Sequence, residues 1–275
     1  MPKITNYKYT GVENGKQLRH LSRMILKAYY SNELILIVIH GKQGYGKSTY
    51  AAICLAQVYG AVNKINELTK HELPDEYSEK DKRKIELRFL NELFEGKHDF
   101  EYDWQTTKKY FVFKPRSFLT TSRKNKTKKP ACIVDDAGLW LNSMDYHSPE
   151  VKAVGKILEV ARTIWGAIIF TCSDQQQIFG KLRNMPHVFT IRISKYPRGG
   201  GYEDRRIARI FKGWVSEDLK KHGRKTIAYD VYYAEMPGDL RDPHSFYGWY
   251  VPERKKLTSS GFNELEKALN KLGIE

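Results

Sequence analysis

The chain has 275 residues, 41% of them apolar and 29% charged, with a formal net charge of +15 and a pI near 9.5. This is enough apolar material for a sizeable core, and the length favours one elaborated domain over two. No stretch approaches the ~20 apolar residues of a membrane-spanning helix, and Met1–Thr5 carries no apolar signal core. Cys54, Cys132 and Cys172 lie in apolar runs without metal-ligand spacing, which excludes a disulfide framework. The expectation is a soluble protein of the host cytoplasm whose basic excess suits an anionic partner.

Residues 1–14 are polar, with a short strand expected at Tyr7–Tyr9. Gln17–Tyr30 carries Leu18, Leu21, Met24, Ile25 and Ala28 at helical spacing, and Ser31-Asn32 ends that helix. A buried strand follows from Leu34 and breaks into Gly41-Lys42-Gln43-Gly44-Tyr45-Gly46-Lys47-Ser48-Thr49. Gly41, Gly46, Lys47 and Ser48 fit G-x-x-x-x-G-K-[ST], the Walker A or P-loop pattern. Glycines let the backbone N–H groups turn inward around a phosphate chain, and the following helix presents its positive N-terminus to the same anion. Residues 41–49 are therefore the candidate nucleotide cradle, with Lys47 on the β- and γ-phosphates and Ser48 on Mg²⁺. The helix is expected to run from Lys47 to about Tyr59 and to stop at Gly60.

Residues 61–109 read as a charged insertion. Its clearest element is a helix near Ser78–Glu95, with Ile85, Phe89, Leu90, Leu93 and Phe94 on one stripe. A short strand at Tyr110–Phe113 and a helix at Pro115–Ser122 lead into a run from Lys114 to Lys129 that holds seven basic residues and no acid. That run is either a solvated helix end or a nucleic-acid phosphate contact. Ala131–Val134 then ends in Asp135-Asp136, the Walker B pattern of a buried parallel strand delivering carboxylates at its C-terminal edge. Asp135 is the expected metal ligand, and Asp136 the group that polarises an attacking water.

Ser148-Pro149 opens a helix expected to close at Gly166, and Ala167–Cys172 is the next buried strand. Thr171, at the end of that strand, is either a γ-phosphate sensor or a hydroxyl that simply terminates it. Asp174–Arg183 reads as a short helix before a strand at Val188–Ile193, and Arg183 is either a surface residue or an arginine finger. After residue 187 an antiparallel extension is expected, with partly alternating segments at 206–215 and 226–234. Lys195–Lys225 contains ten basic and four acidic residues with Tyr202, Phe211 and Trp214 interleaved, which fits either a nucleic-acid contact or the wet face of a core hairpin. Pro237–Tyr247 reads as irregular, and an amphipathic helix is expected from about Ser260.

The fold class is thus α/β, a P-loop three-layer α/β/α arrangement with a mainly parallel sheet. One domain over 1–275 would comprise a core at about 34–193, the insertion, and an extension with a helix over about 194–275. GKQGYGKSTYA, IVDDAGLWL and ARTIWGAIIFTCS resemble segments of the DnaA-like, AAA+-type ATPases of archaeal spindle-shaped viruses and related plasmids, across about Leu34–Ile193. In two places the chain departs from AAA+ proteins: Asp136 stands where they mostly have glutamate, and strand-like segments follow Ile193 where they have a helical lid. The resemblance implies an oligomeric, Mg²⁺-dependent ATPase acting on DNA in replication or maintenance of a virus or plasmid. A DNA-packaging or transfer motor and a non-motor, ATP-switched DNA-binding module are the alternatives.

Overall fold

The computed structural model describes residues 14–15, 17–74, 76–139, 141, 149–174, 188–196, 205–215, 222–234, 238–256 and 259. The expected strand at Tyr7–Tyr9, the segment holding Arg183 and the helix from Ser260 lie outside these residues. The chain divides into two compact units, Met1–Glu235 and Met236–Glu275.

In the first unit, β1 (Asn14–Gly15) precedes α1 (His20–Tyr30), β2 (Ile35–His40), α2 (Lys47–Glu72) and α3 (Glu79–Phe94). β3 (Phe100–Glu101), α4 (Trp104–Lys109), β4 (Phe111–Val112), α5 (Pro115–Lys124) and β5 (Lys129–Val134) follow. After α6 (Pro149–Val160) and a 3-10 turn come β6 (Trp165–Cys172), β7 (Val188–Lys195), β8 (Arg205–Val215) and β9 (His222–Tyr233). Seven strands form one sheet in the order β4-β5-β6-β2-β7-β8-β9, while β1 and β3 pair separately. Pairing is parallel from β4 through β7 and antiparallel only for β7–β8 and β8–β9. The antiparallel part therefore begins one strand later than expected: β7 belongs to the parallel core.

The continuous apolar runs of β2, β5 and β6 reflect burial on both faces. Leu36, Val38, Cys132, Val134, Ile168 and Phe170 pack with Phe118 of α5 and Val151, Val154 and Leu158 of α6. Alternation sends Ile35, Ile37 and Ile39 to the opposite face, where α1 and α2 contact the sheet. The result is a mixed sheet between helical layers, compatible with a three-layer α/β/α fold. All three cysteines are buried and unbonded, and burial pushes the Cys54 and Cys172 thiols up to about 12.

β9 is tied to the helical layer by a buried carboxylate. Asp230 accepts the His20 and Leu21 N–H groups at 3.1 and 3.5 Å and the Tyr50 hydroxyl at 2.6 Å. It thereby caps the N-terminus of α1, whose own N-cap residue, Arg19, supplies no side-chain acceptor. Burial and this acid together raise the Tyr50 hydroxyl well above its ordinary range.

Two helix ends differ from expectation. α6 gives way to the 3-10 turn after Val160, and Gly166 lies inside β6, where a Cβ would come within 2.9 Å of Tyr29 on α1. α2 runs through Gly60 for 26 residues, taking in the start of the expected insertion. α3 matches the rest of it, with Ser78 capping through the Asp81 N–H and Phe89, Leu90 and Leu93 buried. In the second unit, a helix over 246–256 begins inside the segment expected to be irregular.

Gly60 is a site of close approach: a Cβ there would run into the Glu101 carbonyl oxygen of β3. Helix propensity alone predicts that Gly60→Ala stabilises by about 1 kcal/mol. The contact predicts the opposite sign, a loss of about 1–3 kcal/mol by overpacking, checked by the urea-unfolding midpoint.

Candidate functional site

β2 leaves the sheet at His40 and the chain closes a tight loop before α2. Gly41, Gly44 and Gly46 have φ of 153°, 76° and 78°, conformations that cost a side-chain-bearing residue. Space constrains Gly41 as well, since a Cβ would meet the Ile193 carbonyl oxygen at 2.6 Å. The Lys47 ammonium donates back across the loop to the carbonyls of Gly41 and Lys42 at 2.9 and 3.2 Å. Gly46 is the N-cap of α2 and has no side chain to offer, so the first-turn N–H groups project from the helix end toward the loop. Lys42, Gln43 and Gly44 are exposed, whereas Lys47, Ser48 and Thr49 are buried.

The sheet order brings the two expected acids to this helix end. β6 lies between β2 and β5, with Ile39 level with Thr171 and Val134 level with Phe170. Asp135, fully buried, therefore emerges beside both Thr171 and the first turn of α2. Its Oδ1 accepts the Ser48 hydroxyl at 2.7 Å and the Thr171 hydroxyl at 2.6 Å. Thr171 Oγ1 in turn accepts the Asp136 N–H at 2.9 Å. Asp136 takes a left-handed φ of 48°, a conformation Asp tolerates better than most residues. Ser48, Asp135, Asp136 and Thr171, far apart in the chain, thus form one hydrogen-bonded set at the C-terminal edge of the parallel strands.

Thr49, the last residue of the candidate cradle, faces elsewhere: its hydroxyl donates to the Ala234 carbonyl at 3.0 Å. The basic run 114–129 also divides. Its C-terminal half lies at the other edge of the sheet, where Lys128 donates to Asn32 Oδ1 and the Glu33 carbonyl, both at 3.0 Å.

Sequence reasoning missed the contribution of the β8–β9 hairpin. The Tyr232 hydroxyl donates to the loop carbonyls of Tyr45 and Gly46 at 3.2 and 3.0 Å. The Arg206 guanidinium lies 5.7 Å from the centre of the Tyr45 ring. One signal was available, Asp230 as a lone acid in the apolar and aromatic stretch from Ile227 to Ala234; nothing local pointed to Tyr232.

No protein-family model matches the chain. It is 26% identical over 256 residues to the uncharacterized protein B-251 of Sulfolobus spindle-shape virus 1, covering 91% of this chain and 85% of that protein. It is 21% identical over 187 residues to the uncharacterized protein ORF286 of Acidianus two-tailed virus, covering 66% of this chain and about half (51%) of that protein. Both relatives come from archaeal viruses, in keeping with the viral context of the sequence resemblance. Among the described residues no helix is long and apolar enough to cross a membrane.

His40, at the mouth of the loop, reports the local field. Burial and the positive charges of Arg224 and Arg192 push its imidazole down to about 4, with Lys47 adding to the effect and Asp174 opposing it. Between about 6.5 and about 4 the unfolded chain takes up a proton at this residue that the folded chain refuses. Stability must therefore fall as pH falls through that window. His40→Gln is expected to remove this component, so urea midpoints of wild type and variant converge toward pH 4 relative to their separation at pH 7.

Proposed function

We propose that this chain is an ATP-hydrolysing P-loop protein that acts on DNA in the replication or maintenance of an archaeal virus or plasmid. The observation that carries the reading is the convergence of Ser48 and Thr171 on one buried carboxylate oxygen of Asp135, beside a glycine loop at a helix N-terminus. A strand that only ended in acids would need no such partner from α2.

The residues fit the groups this chemistry requires. Left-handed glycines and first-turn N–H groups suit a polyphosphate, and Lys47 would bring its charge to the β- and γ-phosphates. Ser48 Oγ and the Asp135 carboxylate are hard oxygen donors of the kind Mg²⁺ accepts, and two protein ligands leave room for water and phosphate oxygens. Bound there, Mg²⁺ would neutralise charge on the transferring phosphoryl group. Thr171 holds Asp135 through its hydroxyl hydrogen and the Asp136 backbone through its oxygen, and so orients both acids. Asp136 is the candidate to receive the proton of the attacking water.

A second reading, an ATP-switched DNA-binding module with little turnover, draws on the contact between Tyr232 and the loop backbone. It would couple the hairpin to loop conformation without requiring hydrolysis.

Steady-state hydrolysis with and without DNA separates the two. Lys47→Ala is expected to lower turnover by ~10²-fold or more. Asp136→Asn is expected to keep ATP affinity within a few fold while turnover drops by ~10²–10⁴. Wild-type turnover in Asp136→Asn would remove that residue from the mechanism. Tight ATP binding by a wild type that does not hydrolyse it would favour the switch.

A further inference from the structure

β7, β8 and β9 together hold eight Lys and Arg residues and one acid, Asp230. Alternation divides them between two faces. Ile191, Ile193, Ala208, Ile210, Asp230 and Tyr232 are buried on one, the side on which Asp230 meets α1 and α2. The other face has a buried centre of Ile207 and Val231, and around it Arg192, Arg209 and Arg224 are exposed and Arg205, Tyr229 and Tyr233 part-exposed.

The register sets these side chains in rows. Arg192 is level with Arg209, and Arg209 with Tyr229, while Arg205 is level with Tyr233. The Arg209 and Arg205 guanidiniums each lie 5.4 Å from the centre of the cross-strand tyrosine ring. Arg205 also donates to the Tyr233 hydroxyl at 3.1 and 3.3 Å. Stacking on a ring pre-orients a guanidinium and lowers the entropy lost when its remaining N–H groups meet a phosphate. Arg205 and Arg209 are four residues apart, about 13 Å along the strand, so a chain tracking β8 meets a cation–aromatic pair at each end of that span. At the near edge, Arg192 is level with His40 at the end of β2, where burial first, and then the charges of Arg224 and Arg192 against an opposing Asp174, hold the imidazole down.

We infer that the open face of β7–β8–β9 is a docking surface for single-stranded nucleic acid, its arginines on phosphates and its tyrosines and stacked guanidiniums against bases. Charge complementarity selects a polyanion, because the only acid of the three strands lies on the buried side. The interleaved rings select a single strand, whose base faces are free to stack, whereas those of a duplex are already stacked on one another. The inference deepens the DNA-acting part of the proposed function and assigns it to a surface.

Fluorescence anisotropy with labelled oligo(dT) and a duplex of equal length tests it, using the full chain without nucleotide. Arg192→Gln/Arg209→Gln is expected to weaken oligo(dT) binding at least ~10-fold and to reduce the salt slope by about 2. Tyr229→Ala is expected to weaken it by a similar factor with the slope unchanged. Arg123→Gln/Lys126→Gln, at the end of α5, should bind as wild type does. Thermal unfolding matched to wild type certifies each variant as folded.

Duplex binding as tight as oligo(dT) binding overturns the inference, as does unchanged affinity in both open-face variants or a loss confined to the α5 variant. Lys47→Ala should retain oligo(dT) binding. If wild type binds oligo(dT) but hydrolyses no ATP, the surface stands and the hydrolase falls. ATP turnover without oligo(dT) binding gives the reverse.

Discussion

One oxygen atom, Oδ1 of Asp135, holds three segments of the chain in register. A fully buried carboxylate is costly unless its lone pairs are met, and here they are met by hydroxyls from the first turn of α2 and the end of β6. The strand order makes this possible. With β6 between β2 and β5, the ends of all three strands are level, and the helix that follows β2 starts within reach of both neighbours. The topology is thus a precondition of this hydrogen-bonded set.

A second buried carboxylate organises the outer side of the loop. Asp230 caps α1 and receives the Tyr50 hydroxyl, so it fixes β9 against the two helices that flank β2. Two residues on, Tyr232 reaches the carbonyls of Tyr45 and Gly46, and two further on, Ala234 accepts from Thr49. The period of two along an extended strand places all three contacts on one side. The loop is therefore braced from within by the Lys47 ammonium and from outside by a strand that is its neighbour only in three dimensions.

That distinction decides what could be read from the sequence. Elements set by local pattern were legible: the apolar strands, the glycine loop, the acids after β5, and the helix near Ser78–Glu95 that is α3. Gly60 and Gly166 were misread because a glycine looks the same whether it relieves φ strain or makes room for another segment's backbone. At Gly60 that segment is β3, some forty residues away in sequence, and at Gly166 it is α1, well over a hundred away. The parallel pairing of β7 was hidden for a related reason, because an alternating pattern reports a half-buried strand without its direction. The convergence of Ser48, Asp135 and Thr171 was foreseeable only as three separate candidates, since side-chain geometry depends on a strand order that no local window contains.

The basic residues obey the same logic. Counted along the chain, 114–129 is the denser run, with no acid to dilute it. In the fold its second half goes to the far edge of the sheet, where Lys128 serves the carbonyl-rich end of α1 and the start of β2. The run 195–225 is diluted by acids in sequence, yet alternation separates Arg206, turned toward Tyr45, from Arg205 and Arg209 on the open face. Pairing then adds Arg192 from a strand outside the run. A concentrated field arises where neighbouring strands present like charges at one register, a juxtaposition that costs stability unless something opposes it. The cross-strand tyrosines supply part of that compensation, because each ring face is an electron-rich seat for a guanidinium. Within these three strands the single acid, Asp230, lies on the buried side, and Arg205 and Arg209 each face a tyrosine across the strand pair instead.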